Sequence, residues 1–232
     1  MSIAEKLTTI AENEQRVYEA GKAEGEKKAD SKPYINTEDP NFDMRYFCAE
    51  KSKRYKLFPY INFDVIRDFF HCFSNHSGLT VIDIPTPAAT FVNSYCYGCK
   101  TVVEVKNLNT SKCENVGYMF NNASALESVN ELDFSSVINS TNAFSGCTSL
   151  KNITFKENTI NISISFKSCT QLTLNSAKSI IKGLVDYKGT ANESAYTLNL
   201  AAETVALLEA DGNTSPNNNS WIEYIADKGW NI

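Results

Sequence analysis

The sequence predicts an α/β solenoid, a right-handed coil of short strands with a helix before it and a mixed α/β unit closing its C-terminal end. Three observations carry that expectation. An aromatic-led phrase recurs through the middle of the chain, apolar residues return at a fixed spacing, and the pattern stops abruptly after Leu174.

The phrase is Phe73-x5-Leu79-x2-Ile82, repeated as Phe120-x5-Leu126-x2-Val129, Phe144-x5-Leu150-x2-Ile153 and Phe166-x5-Leu172. Tyr97 heads a copy one residue shorter, with Val102 and Val105 in the same roles. Lead aromatics at 73, 97, 120, 144 and 166 set a period of 22 to 24 residues. That is the spacing of a leucine-rich-repeat stack, in which no repeat buries its apolar face without neighbours. Thr101 to Phe120 lies without a gap on Ala125 to Phe144, pairing Val102 with Leu126, Val105 with Val129, Leu108 with Leu132 and Cys113 with Val137. The Leu-x2-Val-x2-Leu stretch is short, β-branched and bounded by Asn and Ser, which reads as a strand. The aromatic-led half, Ala143-Phe144-Ser145-Gly146-Cys147, reads as a helical turn or tight bend on the opposite wall. An imperfect copy begins at Phe47.

Four segments follow: an N-terminal helix and linker over 1–31, an N-terminal cap with a degenerate repeat over 32–72, repeats over 73–174 and a C-terminal α/β cap over 175–232. Ser2-x-x-Glu5 forms a capping box, and Ile3, Leu7, Ile10 and Val17 make an apolar stripe that Glu14 interrupts. Isolated helices are marginal in water without packing, so this stripe is a candidate homo-oligomer or docking contact. The alternative is an exposed leader. After Leu174, Ser176 is the expected N-cap of a helix with Ala177, Ile180, Ile181 and Leu184 on one face. Tyr196, Leu198 and Leu200 alternate as a strand. Val205, Leu207 and Leu208 suggest a second helix, and Pro216 sits near the start of a third that carries Trp221, Ile222 and Ile225. Gly229 ends it, leaving Trp230-Asn231-Ile232 to pair with 196–200.

A hydrophobic content of 42% supports a core, and a net charge of −5 with pI near 5.2 argues against a nucleic-acid partner. Lys51, Lys53, Arg54 and Lys56 make a basic cluster interleaved with Tyr46, Phe47, Tyr55 and Phe58, which reads as a solvated rim. No stretch reaches the roughly 18 to 20 apolar residues of a membrane span, so no membrane insertion is expected. The first 30 residues are polar and amphipathic, without the apolar core of a signal peptide.

Little in the chain carries chemistry. The seven cysteines are odd in number and lack paired spacing, so buried free thiols are expected. Cys96-Tyr97-Gly98-Cys99 is the single CxxC, without the second pair that structural zinc needs, although His71-Cys72 lies one repeat earlier. His76 occupies the station of Ala123 and Cys147, which reads as a packed side chain. No nucleophile motif, metal motif or glycine-rich phosphate loop is present, so neither catalytic nor metal residues are assigned, no cofactor is expected and the protein reads as a non-enzyme. Asn-x-Ser/Thr triplets such as those at Asn109 and Asn139 read as turn chemistry.

Leu132-Asp133-Phe134-Ser135-Ser136-Val137 and Ala143-Phe144-Ser145-Gly146-Cys147-Thr148-Ser149-Leu150 closely resemble BspA-type leucine-rich repeats, found in surface proteins of gut and oral bacteria, in their phages and in some protists. The opening Met-Ser-Ile-Ala-Glu-Lys-Leu-Thr-Thr-Ile-Ala-Glu-Asn-Glu resembles the start of tail-associated proteins in prophages of gut Firmicutes. The resemblance implies a recognition or adhesion module on a virion tail or at the cell surface, with a bacterial cell-surface protein or glycan as partner. Two alternatives stand beside it: a bacterial or protist adhesin binding host proteins, and a structural spacer without a ligand. The outward strand positions Thr80, Asp83, Glu104, Lys106, Ser128, Asn130, Lys151 and Thr154 are the candidate binding surface.

Overall fold

The computed structural model describes residues 63–212 and 214–232. The candidate oligomer stripe Ile3, Leu7, Ile10 and Val17, the degenerate copy at Phe47 and the basic cluster from Lys51 to Lys56 lie outside these residues.

The expected solenoid is not what the described residues form. They make a small mixed α/β domain with two separate parallel sheets and three short helices. Strands β1 (Val81–Asp83), β2 (Glu104–Lys106) and β3 (Ser128–Val129) pair in that order. Strands β4 (Ile164–Phe166) and β5 (Leu198–Leu200) make the second sheet. The helices are α1 (Leu174–Gly183), α2 (Ala202–Ala210) and α3 (Trp221–Asp227). The repeat survives only as a stacking offset. Ile82 pairs with Val105 and Val105 with Val129, an apolar column whose members are at most 5% exposed.

The physical reason for the shortfall is local. Asn107, directly after β2, has φ 56, the left-handed region that breaks an extended strand. Beyond it, side chains stand in for the backbone ladder. Thr110 Oγ1 accepts from the Asp133 N–H at 2.9 Å and donates to the Asp133 carbonyl at 2.8 Å. Thr86 does the same with Asn109, at 2.8 and 3.2 Å. The Asn130 amide accepts from the Leu108 N–H at 3.1 Å and donates to the Leu108 carbonyl at 2.9 Å. These bridges keep buried backbone groups satisfied without extending the sheet.

Turns stack more regularly than strands. Four successive turns place His71, Ser94, Tyr118 and Asn142 at φ 51 to 56, and Asn75, Gly98, Asn122 and Gly146 at positive φ as well. Alternate N–H groups bond along the stack: Phe73 donates to the Tyr95 carbonyl at 2.9 Å, Cys96 to Met119 at 2.8 Å and Phe120 to Ala143 at 2.9 Å. The residues between them bond within their own turn, Asn121 N–H to the Tyr118 carbonyl at 3.1 Å being one case. In the first three turns alternate N–H groups thus point at the following repeat while others close the turn, and in the fourth Ala143, Ser145 and Cys147 N–H close the turn in the same way.

This register revises the reading of the short copy. Cys96, not Tyr97, occupies the station of Phe73, Phe120 and Phe144, so Cys96-x5-Val102-x2-Val105 has the full spacing without a gap. Tyr95 fills the space that a cysteine leaves. Its ring is fully buried, with centroids 5.0 Å from Phe73 and 6.1 Å from Phe69. Further along, Phe144 stacks on Phe166 at 4.7 Å and lies 5.8 Å from Phe120. Each buried aromatic contributes about 1.5–3 kcal/mol of burial free energy.

The C-terminal elements close one end. The N-cap of α1 is Thr173, three residues earlier than expected, and its hydroxyl accepts from the Ser176 N–H. Helix α1 buries Ala177, Ile180 and Ile181. Helix α3 begins at Ser220 with a capping box to Glu223. Trp230–Ile232 runs beside β5, with Thr197 bridging Asn231 in parallel. The Lys228 ammonium lies inside this region, donating to Asn158 Oδ1 at 3.1 Å and to the carbonyls of Lys182 and Leu184. Burial lowers its pKa, against the pull of Asp186 and Glu157.

Candidate functional site

The ladder positions most of the residues chosen from the sequence along one strip. Asp83 sits opposite Lys106, and Glu104 opposite Ser128, in the parallel register. Thr80 precedes β1, and its carbonyl accepts from Val103 and Glu104 N–H at 2.7 and 3.3 Å. Lys151 directly precedes Asn152, which bridges Ser128, and Thr154 follows two residues on. Thr80, Asp83, Lys106 and Thr154 are exposed, whereas Glu104, Ser128, Asn130 and Lys151 are half-buried. Ion pairs Lys106–Glu104 at 3.0 Å and Lys151–Glu127 at 3.1 Å run along the strip. Asn130 has a different role from the one expected, because its amide is occupied by both backbone groups of Leu108.

Beside this strip the structure opens two clefts that the strand-based reading missed. The first, about 420 Å³, lies between 107–111 and 130–133, with Lys156 at its rim. Its polar lining includes Asn107, Asn109, Ser111, Glu131 and Asp133. The second, about 670 Å³, runs between the loop 154–157 and the face of α1 that carries Asn175, Lys178, Ser179 and Lys182. Glu131 and Lys156 line both, so the two clefts make one trough. The signal for the first cleft was in the sequence. The 24-residue offset that aligns Leu108 with Leu132 also places Asn107 beside Glu131 and Asn109 beside Asp133.

Charge in the trough is organised around one ion pair. Lys156 Nζ lies 2.9 Å from Asp133 Oδ2, with the lysine side chain 63% exposed and the aspartate 14%. Burial alone would raise the Asp133 carboxyl, but hydrogen bonds from the Ser135 side chain and backbone and from Lys156, with that ammonium's charge, hold it below the usual range. The hydrogen bond and charge of Asp133 raise Lys156 in turn. At the far wall Lys178 Nζ is 2.7 Å from Asp211 and 5.4 Å from the centroid of the Trp221 ring, which fixes it against the protein.

The remaining chemistry-bearing residues are built into the fold. Cys72, Cys96, Cys99, Cys113, Cys147 and Cys169 are buried free thiols, and Cys48 lies outside the described residues. Cys99 and Cys147 share one station, and each Sγ–H donates to the carbonyl of the residue heading an earlier repeat, Phe73 at 2.8 Å and Phe120 at 3.1 Å. Burial pushes the Cys96 thiol well up, with Cys99, Cys147 and Cys72 adding to it, and it pushes Cys113 and Cys169 up to about 12. His76 is buried, its Nδ1 accepting from the Gly78 and Leu79 N–H groups at 3.0 and 3.1 Å. Among the described residues no three His, Cys, Asp or Glu side chains converge to hold a metal ion. Asn109 and Asn139 each accept from the N–H two residues on, at 3.0 Å, which is turn chemistry.

No protein-family model, curated protein or solved structure matches this chain. Among the described residues no helix is long and apolar enough to cross a membrane.

Proposed function

We propose that the protein is a non-enzymatic recognition module that binds a bacterial cell-surface protein or glycan through the trough and the adjoining strip. The observation that carries this reading is the continuity of the two clefts across Glu131 and Lys156. A trough of that length, lined by amides, hydroxyls and a few fixed charges, suits an extended ligand held by many weak polar contacts. Its floor is rigid, because Thr110, Asn130 and Asp133 are tied to backbone on both sides of the first cleft. A preformed surface lowers the ordering cost of binding. A phage or prophage tail as its carrier rests on the N-terminal resemblance.

The test is labelling of a panel of gut Firmicutes cells with the fluorescent full-length protein. Labelling of some strains, lost when bulky side chains fill the larger cleft in Thr154→Trp together with Asn175→Trp, is the expected result. Both positions are exposed, so the fold tolerates them. Failure to label any strain would overturn the reading.

A further inference from the structure

We propose that the ligand of this trough is an anionic glycan, a sugar chain carrying spaced carboxylate or phosphate groups that sit over Lys156 and Lys182. The inference deepens the recognition reading and rests on it. Charge along the chain points there first. Residues 151–188 hold six lysines against Glu157 and Asp186 alone, in a chain whose net charge is −5. Three of those lysines, Lys156, Lys178 and Lys182, line the larger cleft.

The geometry separates their roles. An ammonium has three N–H donors, and Asp133 takes one from Lys156 while the side chain stays 63% exposed. Lys182 carries no ion pair among the described residues and is exposed. Lys178 is held by Asp211 and forms wall rather than contact. Glu131 and Glu157 face the same cleft. They disfavour a polymer with dense unbroken charge and leave room for one whose anionic groups are spaced by neutral rings. Those rings have a place, since the first cleft continues the trough with Asn107, Asn109 and Ser111. A single-stranded nucleic acid would need aromatic faces on which to stack its bases. The one aromatic lining either cleft, Phe155, is 3% exposed.

Calorimetric titration of the full chain with tetragalacturonate, a phosphomannan and neutral maltotetraose tests the inference. An anionic probe should bind, with affinity falling about tenfold in each of Lys156→Gln and Lys182→Gln, as for loss of one charge-assisted hydrogen bond. Binding should also weaken above about 0.3 M salt. Lys188→Gln, whose partner Asp227 lies outside the trough, should leave binding unchanged. Maltotetraose binding as tightly as the anionic probes would overturn the inference, as would lysine-dependent binding of single-stranded DNA without any glycan. Cells labelled equally well by the Lys156→Gln/Lys182→Gln protein would overturn it and leave the recognition reading standing. Unaltered protein that labels no cells overturns the recognition reading itself.

Discussion

Ser176 Oγ, on helix α1, accepts a hydrogen bond from the Ile153 N–H at 3.0 Å, in the place where another strand would have paired. Ser179 Oγ does the same for Phe155 N–H at 3.0 Å, one turn along the helix. Two hydroxyls thus take the place of a further strand for these N–H groups and let a helix pack where that strand would lie.

Substituting Ser176 tests that arrangement. Ser176→Ala leaves the buried Ile153 N–H without an acceptor, at a cost of about 1–3 kcal/mol. Urea denaturation should show the loss in midpoint, and Ser176→Thr should restore part of it.

The exchange of roles between Tyr95 and Cys96 is separable by mutation. Cys96→Phe alone overfills a site that Tyr95 already occupies, and should cost about 1–3 kcal/mol. Tyr95→Met with Cys96→Phe copies the Met119-Phe120 pair of the next repeat and should recover at least half of that loss. Thermal unfolding of both variants decides, and equal instability would show that the two positions are not coupled.

Two glycines with similar backbones should respond differently to alanine. Gly146 has φ +78 and an added Cβ would meet Asn122 Oδ1 at 2.6 Å and Asn122 Cα at 3.1 Å. Gly189 has φ +73 with nothing within 4 Å. Both variants bear about 1–2 kcal/mol for a left-handed alanine, but only Gly146→Ala adds a clash. Gly146→Ala should be the less stable by more than about 1 kcal/mol on urea denaturation.

Acid should expose the Asp133–Lys156 pair. The Asp133 carboxyl is held below its ordinary value of 3.8 in the folded protein, so the native state favours its charged form. Its stabilisation is therefore complete above that value and is lost as pH falls through the lower folded pKa. Because Lys156 is largely exposed, the contribution is small, about 0.5–1 kcal/mol. Stability of Asp133→Asn should fall less steeply than that of the parent below pH 3.8, and identical acid limbs would remove the assignment.

How far the sequence could be read differs from one element to the next. Ile82, Val105 and Val129 stack where their spacing put them, because burial fixes which face an alternating residue takes. The helix after Leu174 was legible for its apolar face, but its start was not. Thr173 and Ser176 both suit an N-cap, and Ser176 was needed elsewhere, for Ile153. The choice of Tyr97 as a lead aromatic failed for a similar reason. An aromatic one residue away was the stronger local signal, while packing against Phe69 and Phe73 assigned the core to Tyr95.

The sequence by itself determined the 22–24-residue register, the buried apolar columns and the polar character of the turns, since these depend on residues that recur along the chain. Tertiary structure decided that the strands stop after two or three residues, that Thr110 and Asn130 carry the ladder onward, and that Lys156 and Lys182 face one trough. Those outcomes depend on which buried N–H and carbonyl groups lack partners once repeats meet, and a side chain 22 to 24 residues away supplies them. Periodicity specifies which residues are neighbours, and the satisfaction of buried polar groups then selects what the neighbours form.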